Sequence, residues 1–342
     1  KYVSLNSKYT GEASILAILM MIFGVAILLL NQISVKSRKS YTTVTGKSGQ
    51  ISKFNLGRSG KYIIAIILII ITFFTSIFPI VSFAFETFLP NPGDYSFLYT
   101  GDPDNLTTKW WVTNENITEN GMYGQQGILY NDMIWHAYKG TIMVSVCCAL
   151  TAGTIGTLIG YAVSKNRRSR WANYVNSMAF LPYLMPSIAV GVAFFILFSN
   201  KYVNLFNTYA LLIIVGTVKY IPFASRSSLN SMLQLSGEIE EAAIIQDIPW
   251  TKRMTRIIIP IQKTSIISGY LLPFMTCLRE LSLFILLCVQ GFILSTTLDY
   301  FDEMGLYAFS SGINLILIVT ILICNALVNK ATGASLDKGI GG

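Results

Sequence analysis

Residues 236–260 read SGEIEEAAIIQDIPWTKRMTRIIIP, a charged, amphipathic interruption in a chain that is otherwise mostly apolar. Ile239, Ala242, Ala243 and Gln246 fall at i, i+3, i+4, i+7 spacing, and Trp250, Met254, Ile257 and Ile258 follow the same period. Two short helices, each with one apolar face, are expected. Glu238, Glu240 and Glu241 sit in the first turn of the first helix, where carboxylates favour the positive helix end. Pro249 suits the first position of the second, because its missing N–H would have no intrahelical partner there. Asp247 therefore marks the corner, and Lys252, Arg253 and Arg256 line the second helix up to Pro260.

Composition places this segment on the rim of a membrane body. Of 342 residues, 53% are hydrophobic and only 12% charged, more apolar surface than one water-soluble core of this length needs. An all-α polytopic membrane protein is expected. The net charge of +8 comes from residues flanking apolar runs, not from a basic soluble domain with interleaved aromatics, so it speaks for membrane orientation and against nucleic acid. Cys147 and Cys148 are adjacent, and Cys277, Cys288 and Cys324 lie in or beside apolar runs without CxxC spacing, which reads as small buried hydrophobes. His136 is the only histidine, so a histidine-based metal centre or a Ser-His-Asp triad has little material.

About 20 apolar residues are needed to cross roughly 30 Å of hydrocarbon. Seven runs qualify: 13–30, 62–85, 140–163, 176–198, 208–224, 264–287 and 310–327. The linker 31–61 carries Lys36, Arg38, Lys39, Lys47, Lys53, Arg58 and Lys61 and no acid, which places it in the cytosol. The segment 86–139 holds seven acids against Lys109 and Lys139 and belongs outside, as a solvated loop. Gly153, Gly156 and Gly160, with Ala149 and Ala152, would let the third span approach a neighbour closely. The GKS at 46–48 lacks the earlier glycine of a phosphate-binding loop.

The spacing in 236–260 resembles the cytosolic loop of permease subunits of ATP-binding-cassette importers: Glu-Ala-Ala, three residues, Gly, nine residues, Ile, one residue, Leu-Pro. Here it runs Glu241, Ala242, Ala243, three residues, Asp247, nine residues, Ile257, Ile258, Ile259, Pro260. Asp247 stands where the family has Gly, and Ile259 where it has Leu. The stretch YTTVTGKSG in the linker is similar to the linker of fused ferric-iron-type permeases. The resemblance implies a type I, MetI-like helical bundle in the bacterial inner membrane. It implies ATPase coupling through Glu241, Ala242, Ala243, Asp247, Ile257 and Pro260. It also implies as partners a cytosolic ABC ATPase dimer that carries the ATP, an extracytoplasmic solute-binding protein, a second permease half and membrane lipid. No catalytic residue, cofactor or metal is expected in this chain. The solute class is small and charged: ferric iron, phosphonate, thiamine or polyamine. The expected organisation is 1–30 as the last span of a preceding half on the same polypeptide, 31–61 as linker, 62–139 as a span plus the outer segment, 140–330 as the permease core and 331–342 as a polar tail. The alternative is an ion-gradient-driven secondary transporter, which would need no ATPase; a membrane enzyme would need a convergent catalytic set that the chain does not offer.

Two polar features fall inside spans and are candidates for the translocation path or gate. Arg279 and Glu280 lie in the run 264–287, where an ionised residue at mid-depth costs roughly 2.5–3.5 kcal/mol and must be compensated. Lys219 has the right sign for Glu280, but a rise of 1.5 Å per residue sets it roughly 16 Å nearer the cytosol, so partners elsewhere are expected. The motif LPYLMP, with Pro182, Tyr183 and Pro186, frees backbone carbonyls and predicts a bent or broken helix whose carbonyls other groups must satisfy.

Overall fold

The computed structural model describes residues 57–100, 106–117, 124–199 and 202–332, together with single positions at 15, 18, 19, 22, 23 and 26. The first expected span, most of the basic linker and most of the tail lie outside the described residues. Besides the one-turn helices Phe97–Thr100 and Lys109–Val112, the described helices are α1 (Gly60–Glu86), α2 (Asp132–Lys165), α3 (Arg170–Leu184), α4 (Ser187–Phe198), α5 (Tyr209–Gln234), α6 (Gly237–Ile245), α7 (Trp250–Ile261), α8 (Lys263–Leu278), α9 (Leu294–Glu303) and α10 (Tyr307–Thr332). Among the described residues the fold is all-α, with only the isolated bridges Ile117–Gln125 and Ser199–Asn204.

Among those residues α1, α2, α5 and α10 are each long and apolar enough to cross a membrane. Two bent pairs raise the number to six if each is one crossing: α3–α4 turns by 101° and α7–α8 by 86°. Proline explains the local shape at several points. Pro186 has no N–H to continue α3, and α4 starts anew behind it as its N-cap. The widened five-residue turns at Phe73–Ile77 and Met254–Ile258 each precede a proline, Pro79 and Pro260, where the ordinary ladder would lose a bond.

The run 176–198 breaks into two helices at a steep angle, as LPYLMP predicts, and two other expected spans are corrected. The run 264–287 is helical only to Leu278, and Arg279 and Glu280 open an irregular stretch up to α9. The chain leaves the helix where a carboxylate needs donors: Glu280 Oε1 accepts from Leu283 N at 3.1 Å. The run 208–224 continues ten residues further as α5. Its polar extension is buried because each serine hydroxyl finds an acceptor. Ser227 donates to Ser265 O, Ser228 to Thr157 O and Ser231 to Gln262 Oε1.

The glycine seam on α2 packs as expected. A Cβ on Gly156 would stand 2.7 Å from Ser225 N, and one on Gly160 would stand 2.7 Å from Leu229 N, both backbone of α5. Around this seam a central core gathers Val144, Cys148, Leu211, Val215, Tyr220, Cys277 and Phe284. The described cysteines are free thiols, three of them buried. The described outer segment is more than a solvated loop. Trp110 Nε1 donates to Leu89 O at 2.8 Å, and Trp110 and Ile128 pack with Ile134 and Ala137 of α2 and with Phe301 and Phe309.

Candidate functional site

The 236–260 segment forms the expected pair of helices. Ser236 caps α6 through its hydroxyl, which accepts from Glu238 N. At the other end Ile248 N donates to Ala243 O and Asp247 N to Ile244 O, a Schellman closure that needs a left-handed residue between them. Asp247 supplies it, with φ +56°. The aspartate at the glycine position thus keeps the backbone shape that glycine adopts most easily. Pro249 is the N-cap of α7 rather than its first helical residue.

The faces of these helices differ from the sequence expectation. Ala243 is only 5% exposed and turns toward the chain's own interior, as do Met254 and Ile258, which pack on Met232 and Ile266. Glu241, Ala242, Asp247 and Pro260 are exposed, Ile257 half-buried, and Ile245 is 85% exposed. Of the expected stripe, Ile239, Ala242 and Gln246 are exposed and Ala243 alone turns inward; Glu241, Ile244 and Ile245 extend the exposed surface beside it. This follows from the third dimension: the period gives a stripe but not its direction.

Glu240, which the sequence did not single out, anchors the pair. It is 5% exposed, pairs with Lys165 on the last turn of α2, and lies 3.8 Å from Arg253 Nε. The Tyr161 hydroxyl donates to it, and the Tyr161 ring meets Trp250. Burial pushes the Glu240 carboxyl up, but Lys165, Tyr161 and Arg253 together outweigh it and hold the group below its ordinary value. One clue was available: Glu240 and Ala243 stand three residues apart, so both occupy the inward face.

The second group of candidates meets at the breaks. Pro182 and Pro186 bracket the turn between α3 and α4, and their carbonyl problem is solved by Lys219 of α5. Its Nζ donates to Pro182 O at 3.0 Å and to Met185 O at 2.6 Å. Tyr220 OH donates to Glu280 Oε2 at 3.0 Å, so adjacent residues of α5 touch both discontinuities. Glu280 also lies within electrostatic reach of Lys219. The expected offset between the two fails because α5 runs to Gln234, which places Lys219 near its middle. Arg279 is exposed, as is Tyr183, whose ring packs edge-on to Phe223 at 5.7 Å. Among the described residues no cluster of three or more His, Cys, Asp or Glu could hold a metal ion.

Four long apolar helices, a bent α3–α4 pair and an α8 that gives way to irregular chain at Arg279, with polar side chains holding both breaks and the amphipathic pair α6–α7 beside them, suit a polytopic membrane transport protein. Residues 152–334 match the family described as "Binding-protein-dependent transport system inner membrane component", and the chain belongs to that family. It is similar to the ferric transport system permease protein FbpB 1 of Haemophilus influenzae, at 24% identity over 288 residues, 84% of this chain and 42% of the relative. It is also similar to the putrescine transport system permease protein PotI of Escherichia coli K12, at 26% identity over 204 residues, 57% of this chain and 68% of the relative. The fold resembles that in the crystal structure of a bacterial ABC transporter involved in the import of the acidic polysaccharide alginate. The TM-score is 0.56 at 17% identity, covering 80% of this chain and 98% of that one. The chain spans less than half the length of the ferric permease relatives it matches. It is a multi-pass inner-membrane component of that family.

Proposed function

We propose that this chain lines the translocation path for a small charged solute and is driven by cytosolic ABC ATPases docked on α6 and α7. The carrying observation is the exposed patch of Glu241, Ala242, Ile244 and Ile245, held in fixed shape by the Asp247 corner and tied to α2 through Glu240. A bare apolar patch on a cytosolic rim is an interaction surface. ATP is bound and hydrolysed on the partner, and this chain contributes no catalytic group, cofactor or metal. An extracytoplasmic binding protein delivers the solute, in keeping with the family's description. Within the ferric-iron, phosphonate, thiamine or polyamine range of solutes, the relatives named for ferric and putrescine transport support ferric iron and polyamine.

The path runs beside Pro182, Tyr183, Pro186, Arg279 and Glu280, with the permease core at 140–330. A second permease half, upstream on the same polypeptide, supplies the other coupling loop. The deciding experiment uses the complete transporter in proteoliposomes with its ATPase and binding protein. Ile245→Glu places a charge on the exposed patch and should abolish solute-stimulated ATP hydrolysis while the permease remains inserted. Full stimulation in that variant, or uptake driven by an ion gradient without the ATPase, overturns the reading.

A further inference from the structure

We propose that the break between α3 and α4 is a primary-ammonium site, and that the chain's own Lys219 is its ligand. The site is made by the backbone. Pro186 has no N–H, so the Pro182 carbonyl four residues earlier has no donor from the helix. Met185 lies past the end of α3, where α4 has not begun, so its carbonyl is outside either ladder. Both oxygens converge on one nitrogen, Lys219 Nζ, at 3.0 and 2.6 Å. They sit at the C-terminal end of a 15-residue helix, the end that favours a cation.

Lys219 has nowhere else to put its charge. It is 9% exposed, ten residues inside α5 from Tyr209 and fifteen from Gln234. At 1.5 Å per residue those ends are about 15 and 22 Å away, beyond the reach of its four-carbon stem. The Glu280 carboxylate is held by other donors. Glu280 accepts from Tyr220 OH and Leu283 N, and its main-chain carbonyl accepts from Ser295 Oγ. A donor with several N–H groups is required, because one hydrogen must go to each carbonyl; a cation without N–H bonds would leave both oxygens unsatisfied. The ammonium thus holds the two half-helices in their bent arrangement. The inference takes only the location of the break beside the path from the proposed function, and its test needs no transport.

The test is hydrogen exchange of the amides from Tyr183 to Val190 in the complete transporter in nanodiscs. Lys219→Ala should speed exchange there by about tenfold or more, since orphaned carbonyls loosen the first turn of α4. Added propylammonium, which fits the vacated stem and head, should restore protection, and tetramethylammonium at the same concentration should not. Lys219→Met fills the volume without N–H donors, so it should lose protection and gain none from propylammonium. Wild-type protection in Lys219→Met, or equal rescue by both amines, overturns the proposal. If Lys219→Ala does not accumulate, Lys219→Met, which keeps the volume, decides alone: faster exchange supports the site, and wild-type protection sinks it.

Discussion

The Tyr161 hydroxyl on α2 donates to the Glu240 carboxylate on α6, so a membrane-crossing helix and a surface helix share one buried hydrogen bond beside the Lys165 ion pair. Removing the charge with Glu240→Gln should loosen α6 from α2. The cost is about 1–2 kcal/mol, below the range for a fully buried pair because Lys165 is partly solvated. In the assembled transporter, solute-stimulated ATP hydrolysis should drop several-fold with the complex intact. Unchanged stimulation in Glu240→Gln would mean the pair is ornamental to coupling.

Acid should act on the same contact in one direction. The native Glu240 carboxyl lies below its ordinary value of 4.5. Its stabilisation is therefore complete above that value and disappears as pH falls through the lowered native one. The protection of the α6 amides, with the intrinsic pH dependence of exchange divided out, should be flat from neutrality down to about pH 5 and should fall only in more acid solution. Glu240→Gln should abolish that acid step.

Asp247 offers a backbone test. With φ +56° it already holds the conformation that glycine adopts freely. Asp247→Gly should be neutral or stabilising by less than ~1 kcal/mol, whereas the β-branched Asp247→Val should cost ~1–2 kcal/mol. Thermal unfolding of the purified permease orders the three proteins, and an equal effect of Gly and Val would rule out the left-handed corner.

At the α2–α5 seam, Gly156→Ala puts a Cβ 2.7 Å from Ser225 N and 2.9 Å from the Ala224 carbonyl carbon. Neither atom can swing away, so the helices must part at a cost of about 1–3 kcal/mol. Gly237→Ala is the control, with only Glu241 Oε1 nearby at 3.7 Å. Membrane accumulation should fall for the first and not for the second.

Arg279 and Glu280 should separate on neutralisation. Glu280 is held by Tyr220 and Leu283, so Glu280→Gln should lower thermal stability along with transport. Arg279 is exposed, and Arg279→Gln should reduce solute uptake at wild-type stability if it borders the path. Wild-type uptake in Arg279→Gln removes it from the translocation route.

Much of this arrangement could be read from residue order. The spacing of Glu241 to Pro260 located the helix pair and its corner, and the two prolines of LPYLMP located the break, because both signals are local. The direction of Ala243 could not be read, since facing inward or outward depends on what packs above the helix. The partnership of Lys219 with the break was missed for a related reason. The serines after Ala224 look like the end of a span, yet they are buried against α2 and α8 by bonds to Thr157 and Ser265. Polar composition marks a boundary only when no neighbouring backbone accepts the hydroxyls.

The 34 residues of α2 make a rod about 51 Å long, well beyond the roughly 30 Å of hydrocarbon it crosses. Its outer end, at Ile134 and Ala137, is embedded in the same core as Trp110 and Phe309; its inner end, at Tyr161 and Lys165, grips Glu240. A continuous helix of this kind cannot shorten or stretch by a useful amount. Under the proposed coupling, a tilt imposed on α6 would therefore reach the outer lobe through α2 as a rigid body, and the glycine seam, where α2 lies closest to α5, is where it would pivot. A signal sent that way would cross the bilayer as the swing of one beam, without requiring any change in its secondary structure.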